Sequence, residues 1–413
     1  MPMTDQTIGF QTFASVAIFL ATYTGVAHGR IPGFRIDRAG IALVGASLMV
    51  AFGTLSLEEA YRAIDLDAIT LLLGMMIIVA QLRLSGFFEL ASRVAIECAH
   101  GPLVLLGAIG FVTAFFSAFL VNDIICLVMT PLVIDVTRAL QRNPVPYLLT
   151  VALASNAGSV ATITGNPQNM IIGVASGISY VEFASRLAPV AAIAVASTLL
   201  LVSFCYAKDM SGSFASISNV ASSHRHTRQV VKGVLITIGV IIAFFSGIPI
   251  AKAAIVGGSF LLVSRAIKPG RIYAGIDGRL LLMFIGLFVV VAGAEKVLLT
   301  PGVLDAVRHL HLENAWVLSA ATALLSNFVS NVPAVLVLKP FVPDLPDPDR
   351  AWLLIAMSST LAGNLTIIGS IANLIVAECA KISGVTISFL DHLRIGFPLA
   401  LSSIAFATWW LNR

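Results

Sequence analysis

Asp123 is the one acid in this chain that lies deep inside an apolar stretch, far from any basic loop. Carboxyl groups at such depth are costly and serve ion or proton pathways. It follows Val121 and Asn122, where an apolar segment spanning 102–140 has to reverse direction. Asn331 holds the same place in the second half of the chain, with Val332 in place of the acid and Pro333 next. Proline suits the first turn of a helix, where its missing N–H costs nothing. The spacing therefore predicts that Asn122 and Asn331 each cap a half-helix whose N-terminus faces a cavity.

A second polar set interrupts residues 155–173, in a stretch otherwise apolar enough to cross a bilayer. It comprises Thr162, Gly165, Asn166, Gln168 and Asn169, with Pro167 between them. Gly165 permits unusual backbone angles, Pro167 removes a donor, and Asn166 before proline is pushed out of the helical region. Freed backbone groups are tolerated at membrane depth only where they line a buried or wet cavity. A corresponding stretch, 359–377, supplies Thr366, Gly369, Ser370 and Asn373. Neither set contains lysine or arginine, so the expected site consists of amides, hydroxyls, helix N-termini and one carboxyl group. Helix N-termini favour an oxygen-rich solute, whereas unwound carbonyls can hold a cation. Asp123 is the expected coupling residue. Cys126, one turn further on, either meets a thiophilic solute or packs, and Glu295-Lys296 reads as an interfacial pair. All seven histidines fall in loops or at segment ends, which argues against a buried histidine catalyst.

The chain that positions these groups is 58% hydrophobic and 11% charged, with mean hydropathy +0.96. That excludes a water-soluble globular protein and indicates an all-α polytopic membrane protein. The net charge of +4 bears on topology, not on nucleic acid, for which no partner role is expected. Cys98, Cys126, Cys205 and Cys379 form no CxxC pair, so neither a disulfide nor a metal site is implied. Apolar runs at 8–28, 38–55 and 67–84 are each of spanning length. The first lacks a basic leader and reads as a retained span. Residues 85–99 suit a helix lying in the interface.

The pattern then repeats. Tyr61, Asp65 and Gly74 align with Tyr273, Asp277 and Gly286 at one offset, Asn122 and Pro131 with Asn331 and Pro340, and Ser155, Thr162, Gly165 and Asn169 with Ser359, Thr366, Gly369 and Asn373. The first repeat covers 1–207, with a re-entrant hairpin at 102–140 and a broken helix at 147–175. A cytoplasmic linker, 208–232, leads to the second repeat, 233–413, with hairpin 313–340 and broken helix 351–378. Each repeat has an odd number of crossings, so the second is inverted. With both termini outside, the loops carrying Arg30, Arg35, Arg138, Arg142, Arg225 and Arg228 are cytoplasmic, as the positive-inside rule favours.

In these motifs the chain resembles the ion transporter superfamily of arsenite-efflux permeases, NhaD-type antiporters and divalent-anion symporters. Val121-Asn122-Asp123, the stretch 155–173 and their repeat copies carry the resemblance. Residues 55–69 and the Ser-Gly-Phe-Phe-Glu run at 85–89 bring it nearest to arsenite and silicic-acid efflux transporters. The resemblance implies about ten transmembrane helices, plus two re-entrant hairpins whose tips meet two broken helices around the substrate. Divalent-anion symporters carry Ser-Asn-Thr at both tips; Val-Asn-Asp and Ser-Asn-Val stand here. The expectation is a secondary transporter in an inner membrane that exports a small oxygen-rich solute or oxyanion, arsenite or silicic acid, by alternating access. The driving force is an H+ or Na+ gradient, with no cofactor. A Na+/H+ antiporter and a Na+-coupled anion symporter are the alternatives, and a homodimer stays open. No HExxH or nucleophile–base pair marks an enzyme.

Overall fold

A computed structural model of the chain describes residues 5–29, 33–91, 100–212, 227–263, 267–298 and 309–413, and no strand occurs among them. The first half opens with α1 (Asp5–His28), α2 (Arg38–Ala51), α3 (Leu57–Ala63) and α4 (Leu66–Ser85). Then come α5 (Pro102–Phe119), α6 (Asn122–Ala139), α7 (Val145–Ser159), α8 (Pro167–Ser176) and α9 (Tyr180–Cys205). The second half opens with α10 (Thr227–Phe245), α11 (Ile250–Leu262), α12 (Pro269–Tyr273) and α13 (Gly278–Leu298). It continues with α14 (Ala315–Val329), α15 (Asn331–Leu338), α16 (Pro348–Ala362), α17 (Ile371–Ile382) and α18 (Phe389–Leu411).

Among the described residues, α4, α5, α9, α10 and α13 are each long and apolar enough to cross a membrane. The shorter α7/α8 and α16/α17 are halves of interrupted helices, and α5/α6 and α14/α15 form hairpins. Phe111, Leu200, Phe204 and Phe328 face outward, a surface suited to hydrocarbon.

The two halves interlock. α2 packs on α13 and α4 on α11. A Cβ at Gly74 would fall 2.5 Å from the Ala254 carbonyl carbon, and one at Gly286 would fall 2.6 Å from that of Ala42. Gly74 aligns with Gly286, and Ala42 stands to Ala254 at the same offset, so one close helix crossing is made twice. Asp65 and Asp277 also match, each capping its helix by accepting from a backbone N–H at 3.0 Å. The closing helices α9 and α18 run antiparallel: Trp410, late in α18, donates to the Arg186 carbonyl, early in α9, at 2.9 Å. This is the opposite sense that inverted halves require.

Two expectations change, and two lie partly outside the described residues. Residues 227–232 of the expected linker already belong to α10, where Val230, Gly233, Thr237, Val240 and Phe244 present one buried helical face. Residues 213–226, and 92–99 of the expected interfacial helix, lie outside the described residues. Lys296 pairs not with Glu295 but with Glu59 on α3, Nζ to Oε1 2.6 Å, because neighbours in a helix point to different sides. That donor and the Ser56 N–H pull the Glu59 carboxyl down to about 2.

Candidate functional site

The reversals fall where Asn122 and Asn331 predict them, but neither asparagine is a cap. Each is the first residue of its helix, preceded by Val121 or Ser330 in the capping position, and neither cap makes a side-chain bond. The amides reach sideways instead. Asn122 Nδ2 donates to Asn156 Oδ1 at 3.2 Å, and Asn331 Oδ1 accepts from Ser326 Oγ at 2.8 Å. Asn122 Oδ1 is buried without a hydrogen-bond partner. Ser330 turns the second tip with φ +78°, ψ 160°, a conformation rare outside glycine.

The breaks follow the sequence closely. α7 stops at Ser159, a 3-10 turn occupies Ile163–Gly165, and α8 restarts at Pro167 with Asn166 as its cap, Oδ1 accepting from Asn169 N at 2.9 Å. Gly165 is required for a different reason from the expected one. Its backbone angles are ordinary, but a Cβ would lie 2.1 Å from the Ser159 carbonyl. Thr162 donates its hydroxyl to the Ala118 carbonyl. Asn169 Nδ2 donates to Ser159 O at 3.1 Å and Thr162 O at 3.0 Å. Asn373 repeats the clasp in the second half, donating to Gly363 O at 2.7 Å and Thr366 O at 3.1 Å. Both amides thus satisfy carbonyls that the interrupted helix leaves free. Gly369 lies against Asn327, whose Oδ1 a Cβ would approach to 2.7 Å.

Asn156 and Thr360 stand outside the set of residues that the sequence predicts, yet they join the halves. Asn156 Oδ1 accepts from Asn122 and from Ser370 Oγ at 3.0 Å, while its Nδ2 donates to Asn364 Oδ1 at 2.9 Å and Asn373 Oδ1 at 3.1 Å. Thr360 Oγ1 accepts from Asn166 Nδ2 at 3.2 Å and Gln168 Nε2 at 3.1 Å. Each residue sits on the unbroken arm of one half and holds the break of the other. The available signal was their position: each directly follows one of the matched serines, Ser155 and Ser359.

These groups surround a cavity of about 30 Å³ lined by Asn122, Asp123, Pro167, Gln168, Ser330, Asn331 and Ser370, with Leu280, Met283 and Phe284 of α13 as its apolar wall. That is room for a water or a small ion. Of the expected site residues, Asn122, Asp123, Gln168, Asn331 and Ser370 meet here. Asn166, Thr162, Gly165, Asn169, Thr366, Gly369 and Asn373 shape the breaks behind it. Among the described residues, no lysine, arginine or histidine lines the cavity. Among them, a second acid, Asp277, acts on half-buried Asp123. Cys126 points away, its buried thiol 4.0 Å from the Val151 carbonyl. His392 departs from expectation: although in the first turns of α18, it is 1% exposed and bonds the Asn364 carbonyl.

Interrupted helices from two interlocked halves, meeting hairpin tips around a buried polar cavity, define a membrane transporter and not an enzyme. A family model described as citrate transporter, CitMHS, matches residues 23–352, and the chain belongs to that family, within the ion transporter superfamily. The silicon efflux transporter LSI3 of Oryza sativa subsp. japonica is 28% identical, over 95% of this chain and 94% of that protein. A Dictyostelium discoideum protein named as a transporter, arsB, is 25% identical over 94% and 88%. The Escherichia coli K12 inner membrane protein YbiR is 29% identical over 82% and 85%. In fold, the chain is similar to the Alcanivorax borkumensis YdaH transporter, whose crystal structure is described as having an unusual topology. The TM-score is 0.61 at 13% identity, covering 97% of each chain.

Proposed function

We propose that the protein is a secondary transporter that exports a small, uncharged, oxygen-rich solute, arsenite or silicic acid, in exchange for protons by alternating access. The observation that carries this reading is the cavity's composition: amides, hydroxyls and one carboxyl group, without a cationic side chain. A citrate trianion brought against Asp123 would lose its hydration with no positive partner, a cost that buried charges meet only by pairing. A neutral polyhydroxyl solute, entering once alternating access widens this ion-sized cavity, can instead donate to Asp123, Asn122 Oδ1 and Asn331 while accepting from Gln168. The relatives named for silicon efflux and as arsB support the same choice. The division into repeats 1–207 and 227–413, a cytoplasmic linker between them, external termini and an inner-membrane location belong to this reading. YbiR, named as an inner membrane protein, supports the last of these.

Asp123 is the coupling group. Ionised, it accepts hydrogen bonds from the solute; protonated, it loses much of that capacity. Exchange follows if proton and solute stabilise different ionisation states of the carboxyl. Sodium is the rival occupant, favoured by the ion-sized cavity and the unpartnered Asn122 Oδ1. The test is uptake of arsenite and silicic acid into proteoliposomes under separately imposed H+ and Na+ gradients. Asp123→Asn, close to isosteric but unable to titrate, is expected to abolish proton-driven accumulation while leaving solute binding whose pH dependence is flat. Full proton-coupled transport by this variant overturns the mechanism, and a Na+ requirement in the unmodified protein moves the reading to a sodium-coupled transporter.

A further inference from the structure

The buried histidine belongs to no group that contacts solute, yet it is tied to the groups that do. His392 Nε2 lies 3.0 Å from the main-chain oxygen of Asn364, in the turn where α16 stops. A carbonyl only accepts, so Nε2 must carry the proton, whatever the ionisation of the ring. Gly396, one turn along α18, lets that carbonyl approach: a Cβ there would fall 2.1 Å from Asn364 O and 3.0 Å from His392 Nε2. The Asn364 side chain holds Leu153 O at 3.3 Å and Asn156 Nδ2 at 2.9 Å. Asn156 in turn holds Asn122 and Ser370 at the cavity wall. An unbroken series of hydrogen bonds thus runs from the ring to the site.

We propose that His392 is a positioning residue for transport: its ring N–H fixes the Asn364 carbonyl, and through Asn364 and Asn156 it sets the cavity-lining groups of both halves. This rests on the reading of the cavity as the solute site. In the first half a different side chain ties the closing helix to its break: Tyr180, the first residue of α9, meets the Thr164 side chain, Oη to Oγ1 2.8 Å, while the matching caps Ser179 and Ser388 set Phe183 in the register position of His392. The histidine is assigned a neutral duty, that of a donor to a carbonyl. The surroundings agree. α14 carries no ionisable residue, α16 carries Asp349 and Arg350 only in its first turn, and α9 carries Tyr180, Glu182 and Arg186 in its first turns and Cys205 at its end. Arg350 and Arg186 meet Asn412 and Trp410, at the opposite end of α18. Among the described residues, Asp391 and Arg394 on α18 itself, Cys205 at the end of α9, and Tyr206, Lys208 and Asp209 just beyond it are the ionisable groups at the His392 end, and none of them is fully buried.

The experiment compares His392→Gln, His392→Asn and His392→Leu in purified protein, with hydrogen exchange of residues 363–370 measured beside arsenite and silicic acid uptake. Glutamine keeps an N–H donor near the Nε2 position, asparagine is too short to reach, and leucine has no donor. His392→Asn and His392→Leu are expected to speed exchange in that segment and to raise the apparent KM about tenfold or more. His392→Gln should keep protection, affinity and the wild-type pH profile. Should the leucine variant fail to fold, the asparagine variant decides. Unchanged exchange in the variants lacking the contact overturns the proposal. So does a glutamine variant that keeps protection but loses pH dependence, since the ring would then act as a proton carrier. If the unmodified protein carries neither solute, the transport reading fails while the exchange comparison still judges His392.

Discussion

Asn156 uses its whole hydrogen-bonding capacity: two acceptor sites taken by Asn122 and Ser370, two donors given to Asn364 and Asn373. It is fully buried, so removing the amide would leave four polar groups without partners. Each such group costs about 1–3 kcal/mol when water cannot replace the bond. Asn156→Ala should lower the unfolding temperature in detergent and reduce transport below a tenth of wild type; wild-type transport by this variant would show that the halves are not joined here. The sequence made the cavity residues Asn122, Asp123 and Gln168 legible because each stands at an interruption, where polar chemistry contradicts an apolar run. Asn156 lies on the continuous arm before the break and reads as one polar residue in a helix. Its role comes from the other half of the chain, some two hundred residues away, which only packing brings to it. His392 escaped for a related reason: a segment-end position suggests exposure, and the neighbouring break buries it.

At the scale of elements, hairpins and broken helices could be read from Gly, Pro and Asn punctuation and from the repeat. What could not be read was how the tips turn. An asparagine before an apolar helix suggests a cap, but each tip places its cap one residue earlier, and at the second tip that residue is Ser330 in a glycine-like conformation. Holding a side chain there costs about 1–3 kcal/mol, more than the roughly 0.5–1 kcal/mol that glycine loses in chain entropy. Ser330→Gly should therefore raise the unfolding temperature, whereas Ser330→Ala, which keeps the Cβ, should not. Because Ser330 lines the cavity, the glycine variant is also expected to transport more slowly, its tip being less firmly set. Equal unfolding temperatures for the Gly and Ala variants would mean that the tip stores no strain.

For the whole molecule, the question is whether the interlock of the halves and the solute site are separable. Gly74 and Gly286 face the backbones of Ala254 and Ala42, far closer than a Cβ tolerates, and neither glycine lines the cavity. Small residues at such crossings let helices approach closely in a membrane. An added methyl must push α4 from α11, or α13 from α2, an overpacking cost of about 1–3 kcal/mol. Since the repeat makes the same contact twice, Gly74→Ala and Gly286→Ala should lower the unfolding temperature by similar amounts. The double variant should lose close to the sum, as separate helix pairs are affected. Apparent solute affinity should stay within about twofold in Gly74→Ala, whose helix lines no part of the cavity, because sites without shared partners behave independently; Gly286→Ala, on the helix that carries Met283 and Phe284, should lower it more. Thermal unfolding in detergent and uptake kinetics in proteoliposomes measure the two quantities on one preparation. If only one substitution destabilises, the halves do not share load equally. If affinity falls in step with stability in Gly74→Ala as well, the helix interlock is part of the site, and Asn156 and Thr360 are not the only links by which one half sets the other.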